Sequence, residues 1–177
     1  MEVIKMVKFL GCMMILAAST GIGVIYGEGF KKRVKQLKEI QRCMYQLQNE
    51  IIYTHTPLPE AISNTACKSV SPIKDIFKDI SQMLEKNSVD SVYEAFSHTL
   101  KAKENTLNLK KEDTAALLDL SRTLGESDIE GQKKMFLLTL ENIKEQIETS
   151  QILMNKNLKM CRSLGFSLGA VIVIILI

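Results

Sequence analysis

The sequence predicts an all-α protein, a cytoplasmic bundle of about six helices flanked by an N-terminal and a C-terminal membrane helix, and three observations carry that reading. Apolar residues recur at spacings of three and four through the middle of the chain, the repeat of one helical face, and no run alternates long enough for a strand. Two segments, Phe9 to Gly27 and Ser163 to Ile177, contain no Asp, Glu, Lys or Arg. All 43 charged side chains therefore crowd into the other 143 of the 177 residues, about 30% of that stretch, whereas a soluble fold spreads its apolar positions through the sequence. The implied organisation is an anchor over 1–27, a helical domain over 28–162 and a membrane segment over 163–177. A net charge of +3 gives no support to a nucleic-acid partner.

Nineteen helical residues from Phe9 reach about 28 Å, close to the hydrocarbon thickness of a bilayer. The rival reading is a cleaved signal peptide, with Lys5 and Lys8 before the apolar stretch and Ala17, Ala18 and Ser19 near a cleavage site. Lys31, Lys32, Arg33, Lys35, Lys38 and Arg42 come directly after it and resist translocation, which favours a retained anchor with the middle in the cytoplasm. The fifteen residues from Ser163 give only about 22 Å of helix. If Arg162 snorkels and the segment starts at Met160, it reaches about 27 Å, so a short span is preferred to a half-inserted tail. Lys156, Lys159 and Arg162 precede it and give the same orientation. Gly23/Gly27 and Gly165/Gly169 are pairs of small residues four apart, which let membrane helices pack closely.

Between these segments the stripe Val34, Leu37, Ile40, Met44, Leu47 and Ile51 predicts a helix that ends before Thr56-Pro57-Leu58-Pro59. Pro59 suits the first turn of a second helix running to about Ser69, with Thr54 or Thr56 as its cap. Pro72 opens a third, carrying Ile73, Ile76, Phe77, Ile80, Met83 and Leu84 to a stop at Asn87-Ser88. Ser88 caps a fourth with Val89, Val92, Phe96 and Leu100. A fifth holds Leu117, Leu120 and Leu124 and ends at Gly125. The last begins after Ser127-Asp128 with Phe136, Leu140, Ile143, Ile147 and Met154, and runs on into the C-terminal segment.

Nothing in this pattern supplies chemistry. His55 and His98 lie far apart and have no Cys or acidic residue at metal-ligand spacing. Cys12, Cys43, Cys67 and Cys161 form no C-x-x-C and are expected to be free thiols used in packing. Lys110-Lys111-Glu112-Asp113 is expected to be a solvated, well-capped helix start. Glu126, Asp128 and Glu130 lack a partner that would shift a carboxylate into acid–base work. No catalytic residue, cofactor site or metal site is assigned, and the chain is not expected to be an enzyme.

Two segments exceed what a helix break and a cap require. Thr56, Pro57, Leu58, Pro59 and Glu60 form a stretch whose prolines fix their φ angles, so Leu58 and Glu60 are presented to a partner with little ordering cost. Leu124, Gly125, Glu126, Asp128 and Gln132 form an acidic turn suited to a basic protein surface. The run Glu50-Ile51-Ile52-Tyr53-Thr54-His55-Thr56-Pro57-Leu58-Pro59-Glu60-Ala61-Ile62 and the run Leu124 to Gln132, in a chain of this length between two apolar ends, resemble the stage III sporulation protein AB family of endospore-forming bacteria. That family is similar to the inner-membrane platform proteins of type II secretion and type IV pilus machines. The resemblance implies a platform in the channel-like complex between mother cell and forespore, with a secretion-type ATPase and other membrane components of that complex as partners. One helical domain stands here where the secretion platforms carry two. The alternative is a membrane-tethered helical adaptor that forms homo-oligomers without an ATPase.

Overall fold

The computed structural model describes residues 28–124 and 127–176, and within 158–176 the side chains of Met160 and Ser167 alone. Its elements are helical, and no strand occurs among the described residues. Residues 33–149 make one compact unit, which holds the helical core and both candidate docking segments, and the residues on either side belong to another.

The stripe predicted from Val34 forms α1, residues 28–48, and buries Val34, Leu37, Ile40, Met44 and Leu47 together with Cys43. The helix then widens into a π-helical turn, Asn49–Tyr53, in which the Thr54 N–H reaches back five residues to the Asn49 carbonyl at 3.1 Å. After it comes α2, Leu58–Cys67, with Pro59 in the first turn, where a missing N–H is no loss. Neither Thr54 nor Thr56 caps it; both close the preceding π turn instead, through bonds to Asn49 and Glu50.

Next, α3, Ile73–Glu85, begins directly after Pro72, and buries Ile73, Ile76, Phe77 and Ile80. Asn87, in the left-handed region at φ 47°, ends it by letting the Ser88 N–H bond Met83 and its own N–H bond Leu84. Ser88 is thus part of this stop rather than the expected cap. Ser91 caps α4, Val92–Ala102, by accepting from the Glu94 N–H. A short 3-10 turn, Glu104–Thr106, leads to α5, Lys111–Thr123. Last, α6 is unbroken from Ile129 to Leu176.

Consecutive helices α2 to α5 pack in sequence, with Phe77 and Phe96 edge to face at 6.3 Å between α3 and α4. The core collects the inward stripes of α1 to α6, including Phe136, Leu140, Ile143 and Ile147. Among the described residues no helix is long and apolar enough to cross a membrane. The predicted N-terminal segment, with Gly23 and Gly27, lies outside the described residues. Of the predicted C-terminal segment the backbone is helical to Leu176, which puts Gly165 and Gly169 within α6.

One polar cluster closes the bundle. Arg33 of α1 donates through Nε and Nη2 to both oxygens of Asp113 on α5, each at 2.8 Å, and the Asp113 side chain is fully buried. Asp113 Oδ2 also accepts from the Lys110 N–H at 2.8 Å, so the same carboxylate caps α5 and complements its dipole. Beside it Gln36 accepts from the Asn108 N–H, and Gln146 of α6 donates to the Glu112 carbonyl. The expected solvated, well-capped helix start at 110–113 holds for Lys110, Lys111 and Glu112, which are exposed, and is corrected at Asp113, an interior charge compensated by three hydrogen bonds. A second clasp joins α1 to the loop after α2, where Glu39 accepts from the Val70 N–H and Arg42 donates to Glu39 and to the Lys68 carbonyl. Cys43 lies under this loop with Sγ 3.0 Å from Ser69 Oγ, and burial pushes its thiol pKa up to about 11. Cys67, expected in the packing, is exposed.

Asp113→Ala leaves a largely buried guanidinium unpaired and α5 uncapped, so chemical denaturation should show a loss of about 3 kcal/mol or more, whereas Lys31→Ala, which breaks an exposed pair, should leave the midpoint nearly unchanged. Alkylation of the native protein near pH 8, read by peptide mass spectrometry, should modify Cys67 and spare Cys43 until the chain is unfolded.

Candidate docking surface

The corner between α1 and α2 is held less by its prolines than by a carboxylate. Glu50, in the π turn, is nearly buried and accepts from Gln46 Nε2 at 2.7 Å, Thr56 Oγ1 at 3.1 Å and Asn64 Nδ2 at 3.3 Å, while Lys68 Nζ lies 3.5 Å away. The Thr56 N–H bonds the Glu50 carbonyl as well, at 2.9 Å. Burial alone would raise the pKa of this carboxyl, but the hydrogen bonds from Asn64, Gln46 and Thr56 and the charge of Lys68 outweigh it and hold the pKa below the ordinary 4.5. One side chain thus ties the end of α1, the connecting loop and two turns of α2.

The extra residue of the π turn, and His55 in the left-handed region at φ 56°, bring Thr56 back over Glu50 and push the loop outward. Tyr53 is 67% exposed, and His55, Pro57 and Glu60 are exposed beside it in sequence. Thr56 and Pro59 are half-buried. Leu58, expected as the apolar anchor for a partner, is half-buried and packs on the core. Tyr53 was not singled out by the sequence; it falls outside the stripe that Ile51 ends, and that is the signal that would have found it.

In the second stretch Leu124 is 2% exposed and belongs to the core, so its expected place at a docking surface is corrected: it seats the turn. Gly125 and Glu126 lie outside the described residues. Asp128 is exposed and caps α6, accepting from the Gly131 N–H at 2.9 Å, and Gln132 donates to the Ser127 carbonyl at 3.1 Å. A Cβ on Gly131 would meet Asp128 Oδ1 at 2.9 Å and Ser127 Cβ at 3.2 Å, which accounts for glycine so near a helix start. Ile129 and Glu130 are exposed. No hydrogen bond or ion pair joins this turn to the α1–α2 corner among the described residues. Nor does any group of three His, Cys, Asp or Glu among them have the placement to hold a metal ion.

Residues 8–177 match the family model of stage III sporulation protein AB, and the chain belongs to that family. It is 32% identical over 171 residues to stage III sporulation protein AB of Bacillus subtilis (strain 168), covering 97% of this chain and 99% of the relative. A solved structure of stage III sporulation protein AB (SpoIIIAB) superposes with a TM-score of 0.65 at 30% identity, covering 70% of this chain and 97% of that one.

Because the folded pKa of Glu50 is depressed, its contribution to stability is present above the unfolded value and disappears as pH falls through the folded one, below about 4.5. Glu50→Gln should therefore destabilise the fold at neutral pH and flatten the fall in stability with acidification, measured by denaturant titration between about pH 6 and 3.

Proposed function

We propose that this protein is a non-enzymatic membrane platform in the sporulation complex between mother cell and forespore, and that it docks a cytoplasmic secretion-type ATPase through the α1–α2 corner and the acidic turn before α6. Membership of the stage III sporulation protein AB family supports the first half of this reading. The observation that carries the second is the corner itself. Glu50 commits four polar contacts to a corner at which Tyr53, His55, Pro57 and Glu60 are exposed. A large aromatic on a prearranged loop is the kind of residue that carries binding energy, because little is lost in ordering it. Asp128 and Glu130 supply negative charge that steers a basic surface and tunes salt dependence.

Titration calorimetry of the full chain in mild detergent with the ATPase of the same complex tests the reading. Tyr53→Ala should weaken binding about tenfold or more, while Glu60→Ala and Glu130→Ala should chiefly reduce its sensitivity to salt. Leu58→Ala is unsuited, since it removes a core contact. If all three suitable variants are folded and bind like the parent chain, the surface is wrong.

A further inference from the structure

Two exposed helical faces of this chain are complementary to each other, and of their charged residues only Arg42, which also clasps Glu39 and the Lys68 carbonyl, is used within the bundle. On α1 the outward row is Lys35, Lys38, Arg42 and Tyr45, spaced 3, 4 and 3. On α6 the outward row is Leu138, Glu141, Glu145 and Glu148, with the same spacing. Each row covers about 15 Å of helix. Taken in opposite directions, the rows match position by position: Lys35 with Glu148, Lys38 with Glu145, Arg42 with Glu141, Tyr45 with Leu138. We infer that α1 of one copy docks antiparallel against α6 of a second copy through these pairs.

Several observations support a second copy as the occupant. Lys35, Lys38, Glu141, Glu145 and Glu148 are exposed and form no ion pair among the described residues. Lys144 is the one basic residue between 135 and 155, and Glu39, the one acid between 29 and 45, is already held by Arg42 and the Val70 N–H. The opposite charges are therefore sorted onto two helices instead of mixed along each, as a solvated surface would have them. Tyr45 is 56% exposed, Leu138 44% and its neighbour Leu137 63%, so each row ends on apolar surface that water covers poorly. A foreign partner would need only one of the two faces. That both halves, with identical spacing and reversed order, lie on one polypeptide points to self-association. Exposed ion pairs are individually weak and salt-screened, so the contact is one that strengthens where copies are concentrated side by side. It involves neither the α1–α2 corner nor the acidic turn, so its failure would leave the ATPase reading untouched.

Charge reversal on the full chain in mild detergent, followed by sedimentation velocity at low and high salt, tests the pairing. The parent chain should associate with rising concentration, less so at high salt. Lys35→Glu with Lys38→Glu should weaken association about tenfold or more, and Glu145→Lys with Glu148→Lys should do the same. The two variants mixed in equal amounts should associate again, and a chain carrying all four reversals should behave like the parent. Since all four side chains are exposed and outside the bundle's ion pairs, circular dichroism should report an unchanged fold. A parent chain that stays monomeric throughout overturns the inference. So does loss of association by either reversal without rescue on mixing, which would mean that the face meets lipid or another protein.

Discussion

The buried pair of Arg33 and Asp113 is the constraint around which this bundle closes. Helices α2 to α5 pack on their sequence neighbours, which local connections already favour. By contrast, α1 has to be brought to α5 from the far end of the unit. A single carboxylate does most of this for α1: it neutralises the guanidinium, caps α5 and sits where that helix's dipole favours negative charge. Gln36 and Gln146 bond the backbone on either side, so the first turn of α5 is gripped from α1 and α6 at once. An interior charge pair adds little net stability over an apolar contact of equal size, but it punishes any other register of α1, because a slip of one residue would bury both charges unpaired.

Helix α1 consequently has separate duties along its length. Its inner stripe fills the core, its start grips α5, its middle holds the loop after α2 through Glu39 and Arg42, and its end carries the π turn that aims Glu50. The solvent-facing side of the same helix is left with a basic row and Tyr45. A helix serving the core, two loops and a corner has little freedom to move independently.

Most of the fold was legible from apolar spacing, because the signal is redundant: every stripe residue predicted for α1 from Val34 to Leu47 is buried, as are Ile73, Ile76, Phe77 and Ile80 in α3 and Phe136, Leu140, Ile143 and Ile147 in α6. Caps were less legible. Ser88 and Ser91 are equally good capping residues, and the choice rests on which one follows Asn87 closely enough to finish the preceding helix. The buried polar residues were the least legible. Asp113 sits in a run of charged residues that looks solvated, and its partner lies in a basic cluster that looks like a membrane-orienting signal. Composition marks both as surface, and only the fold brings them together. The candidate docking segments stand out by their turn chemistry, whereas the π turn after α1 inserts a residue without any mark in the sequence. Leu58 packs inward against the core and Tyr53 is exposed.

The separation of 80 residues between Arg33 and Asp113 also sets a timetable for biosynthesis. At roughly 5 to 20 residues per second, Arg33 is made about 4 to 16 s before the carboxylate that fixes the register of α1. During that interval α2, α3 and α4 can already pack in sequence, and the loop after α2 can settle on the far half of α1 through Glu39, Arg42 and Cys43. The near half, around Val34 and Leu37, is without its anchors to the start of α5 until that helix has been synthesised. The newborn chain thus keeps its most basic stretch and an uncovered strip of hydrocarbon side by side for seconds, a state in which a chaperone would find this protein and the finished bundle would not.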